Sequence, residues 1–429
     1  MGSFCPSAGR VHDVRSNRRV VLTGIGIVAP NGIGKADFWR TLAAGQSGID
    51  RITHFDASDY PIRVAGIVKD FDLRRYVDAT SVRPNRMARH TQLGVAASAL
   101  ALKDAGLTSA FLESIAPLQI VMGVSSGGVD VIGGAQELLM TKGPKGVKPH
   151  MVGACQPHAV ANAVAAILQI PVRILTVSTA CAAGLDAVSH ACEHIRAGKA
   201  DLVLTGGADS PTSALGVAAF CAAGLVPSLN GEDPRTVSRP FDRLRKGGIM
   251  AEGACILVIE RLENALARGA RPYLEFLGGA DSVDAPGSES GSGLSDSMQE
   301  ALTNACLRPA DVDYVCAHGP SDLVLDRVET KAIRVVLGAR ADTVPVSSIK
   351  GVTGNPLSAA GPLELAACAL MFQNGVIPPT ANYTDPDPAC DLDYVGEGAR
   401  RARVRRALVN VHGLGGGNSS VVVGRGPDA

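Results

Sequence analysis

A strand–helix–strand pattern in the middle of the chain restricts its fold more than any other feature. The sequence predicts a strand over Arg173–Ser178, a helix over Ala182–Ala197 and a second strand over Asp201–Thr205. Apolar residues at spacings of three, four and three give the helix one stripe, formed by Leu185, Val188, Cys192 and Ile195. Strands joined through such a helix lie parallel in one sheet. The fold class is therefore predicted to be α/β.

A second set of alternating elements follows the first. It comprises predicted strands at residues 312–316, 343–347 and 406–411 and predicted helices at residues 326–337 and 359–372. These elements predict two α/β halves of similar plan, although no sequence repeat is strong enough to establish a duplication. The predicted organisation is a disordered tail at residues 1–17, an N-terminal half at residues 18–265 and a C-terminal half at residues 266–429.

Composition argues against several classes of function. The 429 residues carry 41 basic and 41 acidic side chains, so no net field attracts nucleic acid or an anionic membrane. Aromatic residues make up only 4% of the chain, which argues against stacking on bases. No apolar run reaches the ~18 residues that a membrane-spanning helix needs. The ten cysteines include no Cys-x-x-Cys pair, which is typical of a reducing compartment and predicts a cytoplasmic protein.

Cys181 is the strongest candidate nucleophile in the sequence. It follows a predicted strand and a sharp turn, and it opens a helix that continues with Ala182, Ala183 and Gly184. These small residues leave room for a substrate, and the positive end of the helix macrodipole favours a thiolate. Spacing alone leaves open the alternative that Cys181 is one more buried structural cysteine.

The segment Ser178–Asp186 resembles the nucleophile motif of the β-ketoacyl-acyl carrier protein synthases, the condensing enzymes of fatty acid and polyketide synthesis. The resemblance extends from about Arg18 to Gly424 and includes Arg19–Gly26 and Ser238–Asp242. It implies a duplicated thiolase-like fold with five αβαβα layers. It also implies a ketosynthase of the I/II type, an acyltransferase that holds its acyl group on Cys181.

Two later segments imply the partners of Cys181. Cys316–Gly319, followed by Glu329, is similar to the family's HGTGT block, and the resemblance gives His318 a hydrogen bond to a malonyl thioester carbonyl. The sequence departs from the family at Pro320–Asp322, where Thr-Gly-Thr is usual. Ser348–Asn355 is similar to the block that carries a second catalytic His.

Asn355 stands in the place of that second His. Its amide can still donate to a carbonyl oxygen, but it cannot transfer a proton. The implied catalytic set is therefore Cys181, His318 and Asn355, supported by Lys350, Glu329 and Glu364.

The segment Asn410–Asn418 resembles the family's NSFGFGGTN turn. The resemblance implies an oxyanion hole formed by the backbone N–H groups of Cys181 and Leu414. His412, Leu414 and Gly248 stand where the family has phenylalanines, so a wider or differently shaped acyl pocket is predicted around these three residues. No metal or cofactor of the protein's own is predicted, since phosphopantetheine arrives on the carrier protein.

The resemblance implies an acyl carrier protein as partner, and either a homodimer or a heterodimer with a second ketosynthase-like subunit. The family's basic docking loop corresponds to residues 227–231, which contain no basic residue. Seven other basic residues form the predicted alternative patch: Lys142, Lys145, Lys148, Arg235, Arg243, Arg245 and Lys246.

The predicted function is decarboxylative condensation of an acyl group on Cys181 with a malonyl-type thioester, in a specialised pathway. One alternative is an acyltransferase that passes the group to another nucleophile without decarboxylation. A second is a non-catalytic partner of the chain-length-factor kind, against which Cys181 argues. Two other motifs are weaker: Gly24 and Gly26 match a dinucleotide-binding pattern that Pro30 interrupts, and His190–His194 matches a zinc-peptidase pattern that lacks a third ligand.

Overall fold

The computed structural model describes residues 18–78, 80–229, 231–285 and 290–427, and the predicted tail at residues 1–17 lies outside them. The helices within these ranges are α1 (Lys35–Ala43), α2 (Arg89–Asp104), α3 (Ser109–Ser114), α4 (Val129–Lys142), α5 (Met151–Ala154), α6 (Ala159–Leu168), α7 (Ala183–Arg196), α8 (Ala214–Ala222), α9 (Leu262–Ala267), α10 (Ser292–Asn304), α11 (Leu325–Leu337), α12 (Lys350–Thr353) and α13 (Ala360–Asn374). The strands are β1 (Val20–Ala29), β2 (Gly32–Ile33), β3 (Ile49–Arg51), β4 (Val64–Gly66), β5 (Leu118–Gly123), β6 (Val172–Val177), β7 (Leu202–Asp209), β8 (Gly253–Arg261), β9 (Leu274–Val283), β10 (Tyr314–Cys316), β11 (Pro345–Ser347), β12 (Val376–Ile377), β13 (Asp393–Tyr394), β14 (Arg400–Arg401), β15 (Arg406–His412) and β16 (Gly417–Arg425).

The strand order reveals a duplication that the amino-acid sequence does not. In the first half the strands lie in the order β6-β5-β7-β8-β1, and in the second half in the order β11-β10-β15-β16-β9. Numbered along the chain, both halves have the same order, third-second-fourth-fifth-first. In both halves the second strand pairs in parallel with the third and fourth, whereas the remaining pairs are antiparallel. Antiparallel pairing of Val20–Leu22 with Leu274–Phe276 joins the halves in one sheet.

Two buried helices, α7 and α13, form the central layer. Every residue of α13 from Ala360 to Phe372 is buried, and the predicted apolar stripe of α7 is buried as well. Helices α2 and α6 pack on the first half of the sheet and α10 on the second. This arrangement confirms the predicted α/β class and the duplicated thiolase-like fold.

Glycines allow helices and strands to approach closely in this fold. A Cβ atom on Gly26, in the middle of β1, would lie 1.8 Å from the carbonyl oxygen of Ala97 in α2. Gly24 meets Ala101 of the same helix in the same way, at 2.5 Å. These two glycines serve helix–strand packing, so the dinucleotide-binding interpretation is wrong. None of the helices in the described ranges combines the length and the apolar character needed to cross a bilayer.

Candidate active site

The nucleophile candidate lies in the sharp turn between β6 and α7. Ala180 has a φ of +52°, a left-handed conformation that is uncommon for alanine and that turns the chain abruptly. Cys181 is the middle residue of the short 3₁₀ turn Ala180–Ala182, and it is 8% exposed. The next helix starts against Gly123 of β5, where a Cβ atom would lie 2.3 Å from the backbone of Ala183. The turn therefore holds Cys181 in a fixed place.

Burial of Cys181 acts against the predicted preference for a thiolate. Burial raises the pKa of the Cys181 thiol. Hydrogen bonds from the Asn355 side chain and the Leu414 backbone, and the charge of Lys350, act in the opposite direction but do not cancel burial. Helix α7 begins two residues after Cys181. Cys181 therefore precedes the helix, and the helix macrodipole acts on its sulfur across the end of the 3₁₀ turn. Cys181 is therefore a thiol at neutral pH.

The structure brings Asn355 to Cys181. The Asn355 Nδ2 atom donates to the Cys181 Sγ atom at 3.8 Å. The backbone of Asn355 is fixed on both sides, because its N–H donates to Ile249 at 2.8 Å and its carbonyl accepts from Ala251 at 2.9 Å. The second half of the chain thus places an amide beside the candidate nucleophile of the first half.

His318 follows strand β10 and is 1% exposed. Glu329 accepts the backbone N–H groups of His318 and Gly319, both at 2.8 Å, and the His318 carbonyl accepts from Lys350 Nζ at 2.7 Å. Burial lowers the pKa of His318 well below its usual range, and the nearby charges of Lys350 and His412 lower it further. The imidazole is therefore neutral, and its buried Nδ1 atom has no hydrogen-bond partner among the described residues.

Lys350 and Glu364 form a buried ion pair behind His318. Their side chains are 1% and 0% exposed. Burial raises the pKa of Glu364, whereas the charge of Lys350 and its hydrogen bond act in the opposite direction and favour the ionised carboxylate. Burial also raises the pKa of Glu329. The resemblance implies three supporting residues. Glu329 and Lys350 hydrogen-bond to the backbone of His318, and Glu364 pairs with Lys350.

The departure from the family's Thr-Gly-Thr sequence builds a turn of its own. Ser321 has a φ of +71°, and its Oγ accepts the backbone N–H of Arg239 at 3.0 Å. The Asp322 carboxylate accepts the backbone N–H groups of Val324 and Leu325, at 2.8 and 2.9 Å, where helix α11 begins. The Asp322 carboxylate thus binds the backbone at the start of α11, and Ser321 binds the segment at Arg239, so both fix the chain that follows His318.

The hairpin between β15 and β16 lies against the nucleophile turn. The Leu414 backbone N–H acts against the rise of the Cys181 pKa, so it lies near that sulfur, and its role in an oxyanion hole stays a prediction. The Leu414 side chain is 63% exposed. A Cβ atom on Gly248 would have one close neighbour, the carbonyl oxygen of Pro320 at 3.3 Å, so this position is open. The acyl-pocket roles of His412, Leu414 and Gly248 stay predictions.

The sequence analysis did not identify Asp209, which hydrogen-bonds to segments on both sides of the site. This fully buried residue ends β7, and its carboxylate accepts the backbone N–H groups of Ser125 and Ser126, both at 2.8 Å. It also accepts the backbone N–H of Ser358 at 3.1 Å and the Ser358 hydroxyl. Ser358 lies three residues after Asn355, so Asp209 ties the turn that carries Asn355 to the first half. The sequence feature that could have pointed to Asp209 is an acidic residue at the end of a buried strand.

The predicted basic patch is wrong in part. Arg245 is fully buried and pairs with Asp387 at 2.9 Å, so it cannot meet a partner protein. Arg243 pairs with Asp385 and Lys246 with Glu232. These ion pairs neutralise charges that the sequence alone presents as free.

The zinc-peptidase pattern on α7 does not form a site. His194 Nδ1 bonds to the Gln119 side chain at 2.5 Å, whereas His190 is half exposed beside Glu193. Within the described residues no three His, Cys, Asp or Glu side chains gather in a way that could hold a metal ion.

Comparison with known proteins agrees with this geometry. The profile of the β-ketoacyl synthase N-terminal domain matches residues 17–265, and that of the β-ketoacyl synthase C-terminal domain matches residues 278–384. The tetracenomycin polyketide synthase ketoacyl synthase alpha subunit of Streptomyces glaucescens is 39% identical over 423 residues, which cover 96% of this chain and 98% of that protein. The 3-oxoacyl-[acyl-carrier-protein] synthase 2 of Vibrio harveyi is 38% identical over 416 residues, which cover 95% and 98%.

A solved structure described as the ishigamide ketosynthase/chain length factor has the same fold. It superposes with a TM-score of 0.88 at 34% identity and covers 95% of this chain and 99% of its own. Since two family profiles and near full-length relatives match, the chain belongs to the β-ketoacyl synthase family of condensing acyltransferases.

Proposed function

We propose that Cys181 takes an acyl group from the phosphopantetheine thiol of an acyl carrier protein and that the enzyme condenses it with a malonyl-type thioester. In the second step His318 and Asn355 hold the thioester carbonyl of the extender while its carboxylate leaves as CO₂. The enolate carbon then attacks the acyl group on Cys181. The backbone N–H groups of Cys181 and Leu414 receive the negative charge that develops on the acyl oxygen.

The contact between Asn355 Nδ2 and Cys181 Sγ carries this proposal. It places a hydrogen-bond donor of the second half beside the nucleophile of the first half. An amide in this position can stabilise an enolate oxygen without changing its own charge. The neutral state of His318 agrees with the same role, because a neutral imidazole donates one hydrogen bond and takes no part in an ion pair.

We further infer a specialised pathway, of the polyketide kind, in the cytoplasm. The names of the Streptomyces relative and of the ketosynthase/chain length factor structure support the pathway. The nine cysteines of the described residues are all free, which fits a reducing compartment. The protein needs no resident cofactor in this scheme, since the carrier protein brings the phosphopantetheine.

The proposed partners are an acyl carrier protein and a second ketosynthase-like subunit, identical or not. The name of the Vibrio relative includes an acyl carrier protein, and the description of the ishigamide structure names a ketosynthase together with a chain length factor. Strand β6 lies at the edge of the sheet and exposes Ile174 and Leu175, which suits pairing with another subunit. Four exposed arginines lie in the segment before α2, and their positive charge suits an acidic carrier protein: Arg74, Arg75, Arg83 and Arg86.

Intact-mass spectrometry tests the first step. The wild-type protein, incubated with acyl-loaded carrier protein, should gain one acyl group that Cys181→Ala does not gain. Malonyl-carrier protein added to the acylated enzyme should then release CO₂. Asn355→Ala should slow this release by about 10²-fold, as loss of one oxyanion-type donor does. Unchanged CO₂ release from Cys181→Ala or Asn355→Ala would overturn the assigned roles.

A transferase without decarboxylation is the second candidate, because Asn355 and the Pro320–Asp322 turn both depart from the condensing pattern. It predicts an acyl adduct on Cys181 with no release of CO₂ from malonyl-carrier protein. Asn355→His discriminates further, since it would create condensation where the wild type has none. A non-catalytic partner subunit predicts no adduct with any acyl donor.

A further inference from the structure

The turn between Asn355 and helix α13 contains a strained residue. Leu357 has a φ of +50°, a left-handed conformation that a leucine rarely adopts. Such a conformation persists only where the surrounding structure holds it. Only Pro356 separates Leu357 from Asn355, so the shape of this turn affects the direction of the Asn355 side chain. The groups that hold the turn therefore bear on the contact between Asn355 and the Cys181 sulfur.

Asp209 holds the end of this turn through Ser358. The Asp209 Oδ2 atom accepts the Ser358 backbone N–H at 3.1 Å and also the Ser358 hydroxyl. Both residues are 0% exposed, so bulk water does not compete for these bonds. A buried residue with two bonds to one carboxylate has little freedom to move. Asp209 thus supplies the restraint that the strained turn requires.

The carbonyl group of Ser358 is held from another direction by two glycines. A Cβ atom on Gly184 of α7 would lie 1.9 Å from this oxygen, and one on Gly207 of β7 would lie 2.1 Å from it. The absence of these side chains lets the turn lie directly on α7 and β7. Since α7 begins just after the nucleophile turn, Ser358 rests against the helix that follows Cys181.

The same carboxylate also fixes the first half of the site. Its Oδ1 atom accepts the backbone N–H of Ser126 at 2.8 Å and the Ser126 hydroxyl at 2.7 Å, and its Oδ2 atom accepts the backbone N–H of Ser125 at 2.8 Å. These serines follow strand β5, whose last residue, Gly123, contacts the backbone at the start of α7. Asp209 therefore joins the turn after Asn355 to the strand on which the nucleophile helix rests.

The backbone of Asn355 has a separate restraint of its own. It bonds to Ile249 and Ala251, and neither of these bonds involves Asp209. Loss of the Asp209 carboxylate would leave this restraint in place and release only the turn that follows Asn355. The direction of the amide would change, whereas the position of the backbone would be kept.

We infer that Asp209 is a positioning residue for the decarboxylation step and that it acts by directing the Asn355 amide through Ser358. The inference rests on the proposed function, since it concerns the step in which Asn355 holds the thioester carbonyl of the extender. Asp209 itself touches neither the acyl group nor the extender. Its contribution is that the amide is already in place beside the Cys181 sulfur when the carbonyl arrives.

The test is a double-mutant cycle on the acylated enzyme. Wild type, Asp209→Ala, Asn355→Ala and the double variant are each loaded with one acyl group, and kcat for CO₂ release from malonyl-carrier protein is then measured. Asp209→Ala should lower kcat about tenfold, which is part of the ~10²-fold loss expected when the Asn355 amide is removed. In the Asn355→Ala background the same change should have no further effect, because the group through which it acts is already gone.

A matched control and a milder variant accompany the cycle. Asp104 is another buried carboxylate that accepts a backbone N–H, that of Ile25 at 2.8 Å, and it makes no contact with the turn after Asn355. Asp104→Ala should leave kcat unchanged in both backgrounds. Ser358→Ala removes one hydrogen bond to Asp209 and decides the question should Asp209→Ala not fold. It should lower kcat by less than Asp209→Ala does, and again only while Asn355 is present.

Two results would overturn the assignment. One is an equal loss of kcat in both backgrounds, which a residue that serves only the fold would give. The other is a wild-type kcat in Asp209→Ala. Both results presuppose a wild-type protein that gains the acyl adduct and releases CO₂. A wild type that does neither refutes the proposed function itself, and this inference with it.

Discussion

Gly184→Ala tests how tightly the two halves must fit for the site to work. Gly184 lies in the first turn of α7, directly beneath the nucleophile turn, and its Cα faces the carbonyl oxygen of Ser358. A Cβ atom added there would lie 1.9 Å from that oxygen, whereas real Cβ contacts are essentially never under 3.0 Å. The two backbones must therefore move apart by at least 1.1 Å.

That movement acts on the contact between Asn355 and Cys181. Ser358 belongs to the turn that follows Asn355, and Gly207 and Asp209 hold it from the other side. A displacement of about 1 Å at a catalytic group can cost ~10²-fold in rate, whereas overpacking a core costs about 1–3 kcal/mol in stability. Gly184→Ala should thus remain folded, be acylated on Cys181 far more slowly than wild type, and melt at a lower temperature.

Gly134→Ala is the matched control. Gly134 lies on the exposed face of α4, and a Cβ atom there would meet nothing within 4 Å. This substitution should leave acylation unchanged and stabilise the helix by about 0.5–1 kcal/mol. The reasoning fails if Gly184→Ala is acylated at the wild-type rate, since the site would then tolerate a shift that the packing requires.

The remaining predictions concern charge and burial. Alkylation of Cys181 by iodoacetamide should be slow at neutral pH and should accelerate about tenfold per pH unit in alkaline solution, because burial raises the pKa of this thiol and only the thiolate reacts; a rate that is already constant at neutral pH would contradict this. Lys350→Met should lower the free energy of unfolding by about 3–5 kcal/mol, since it leaves Glu364 buried without its partner, and the double variant with Glu364→Leu should recover much of that loss in chemical denaturation. Arg89→Met should destabilise the fold in the same assay, because Glu252 is 2% exposed and accepts from Arg89 at 2.8 Å, and unchanged denaturation would show that the pair contributes nothing.

Local periodicity predicted the central elements of the fold well. The helix predicted at residues 326–337 agrees to within one residue with α11 (Leu325–Leu337), and helix α7 begins one residue after the predicted start. Strand β7 is longer than predicted, since it continues to Asp209 through two glycines. The glycines would favour a turn in isolation, but pairing with β8 keeps this stretch in the sheet.

Properties that depend on distant residues were not predictable in this way. The charge state of Cys181 follows from burial by elements of both halves, which a macrodipole argument from the local sequence does not include. Arginine is usually exposed, yet Arg245 is buried because it pairs with the carboxylates of Asp326 and Asp387. The contacts of Asp209 join segments more than eighty residues apart, so neither spacing nor motif points to them.

The shared strand order of the halves bears on how such a molecule could have arisen. The first half contributes the sulfur and the second contributes the imidazole and the amide, although both halves have one plan. An ancestral half-length chain would have placed equivalent positions of two copies around a twofold axis. A fusion of two such copies would leave each free to diverge, so that one half could present the sulfur and the other the imidazole and the amide. The asymmetry of the site would then result from functional divergence of two halves that were once equivalent.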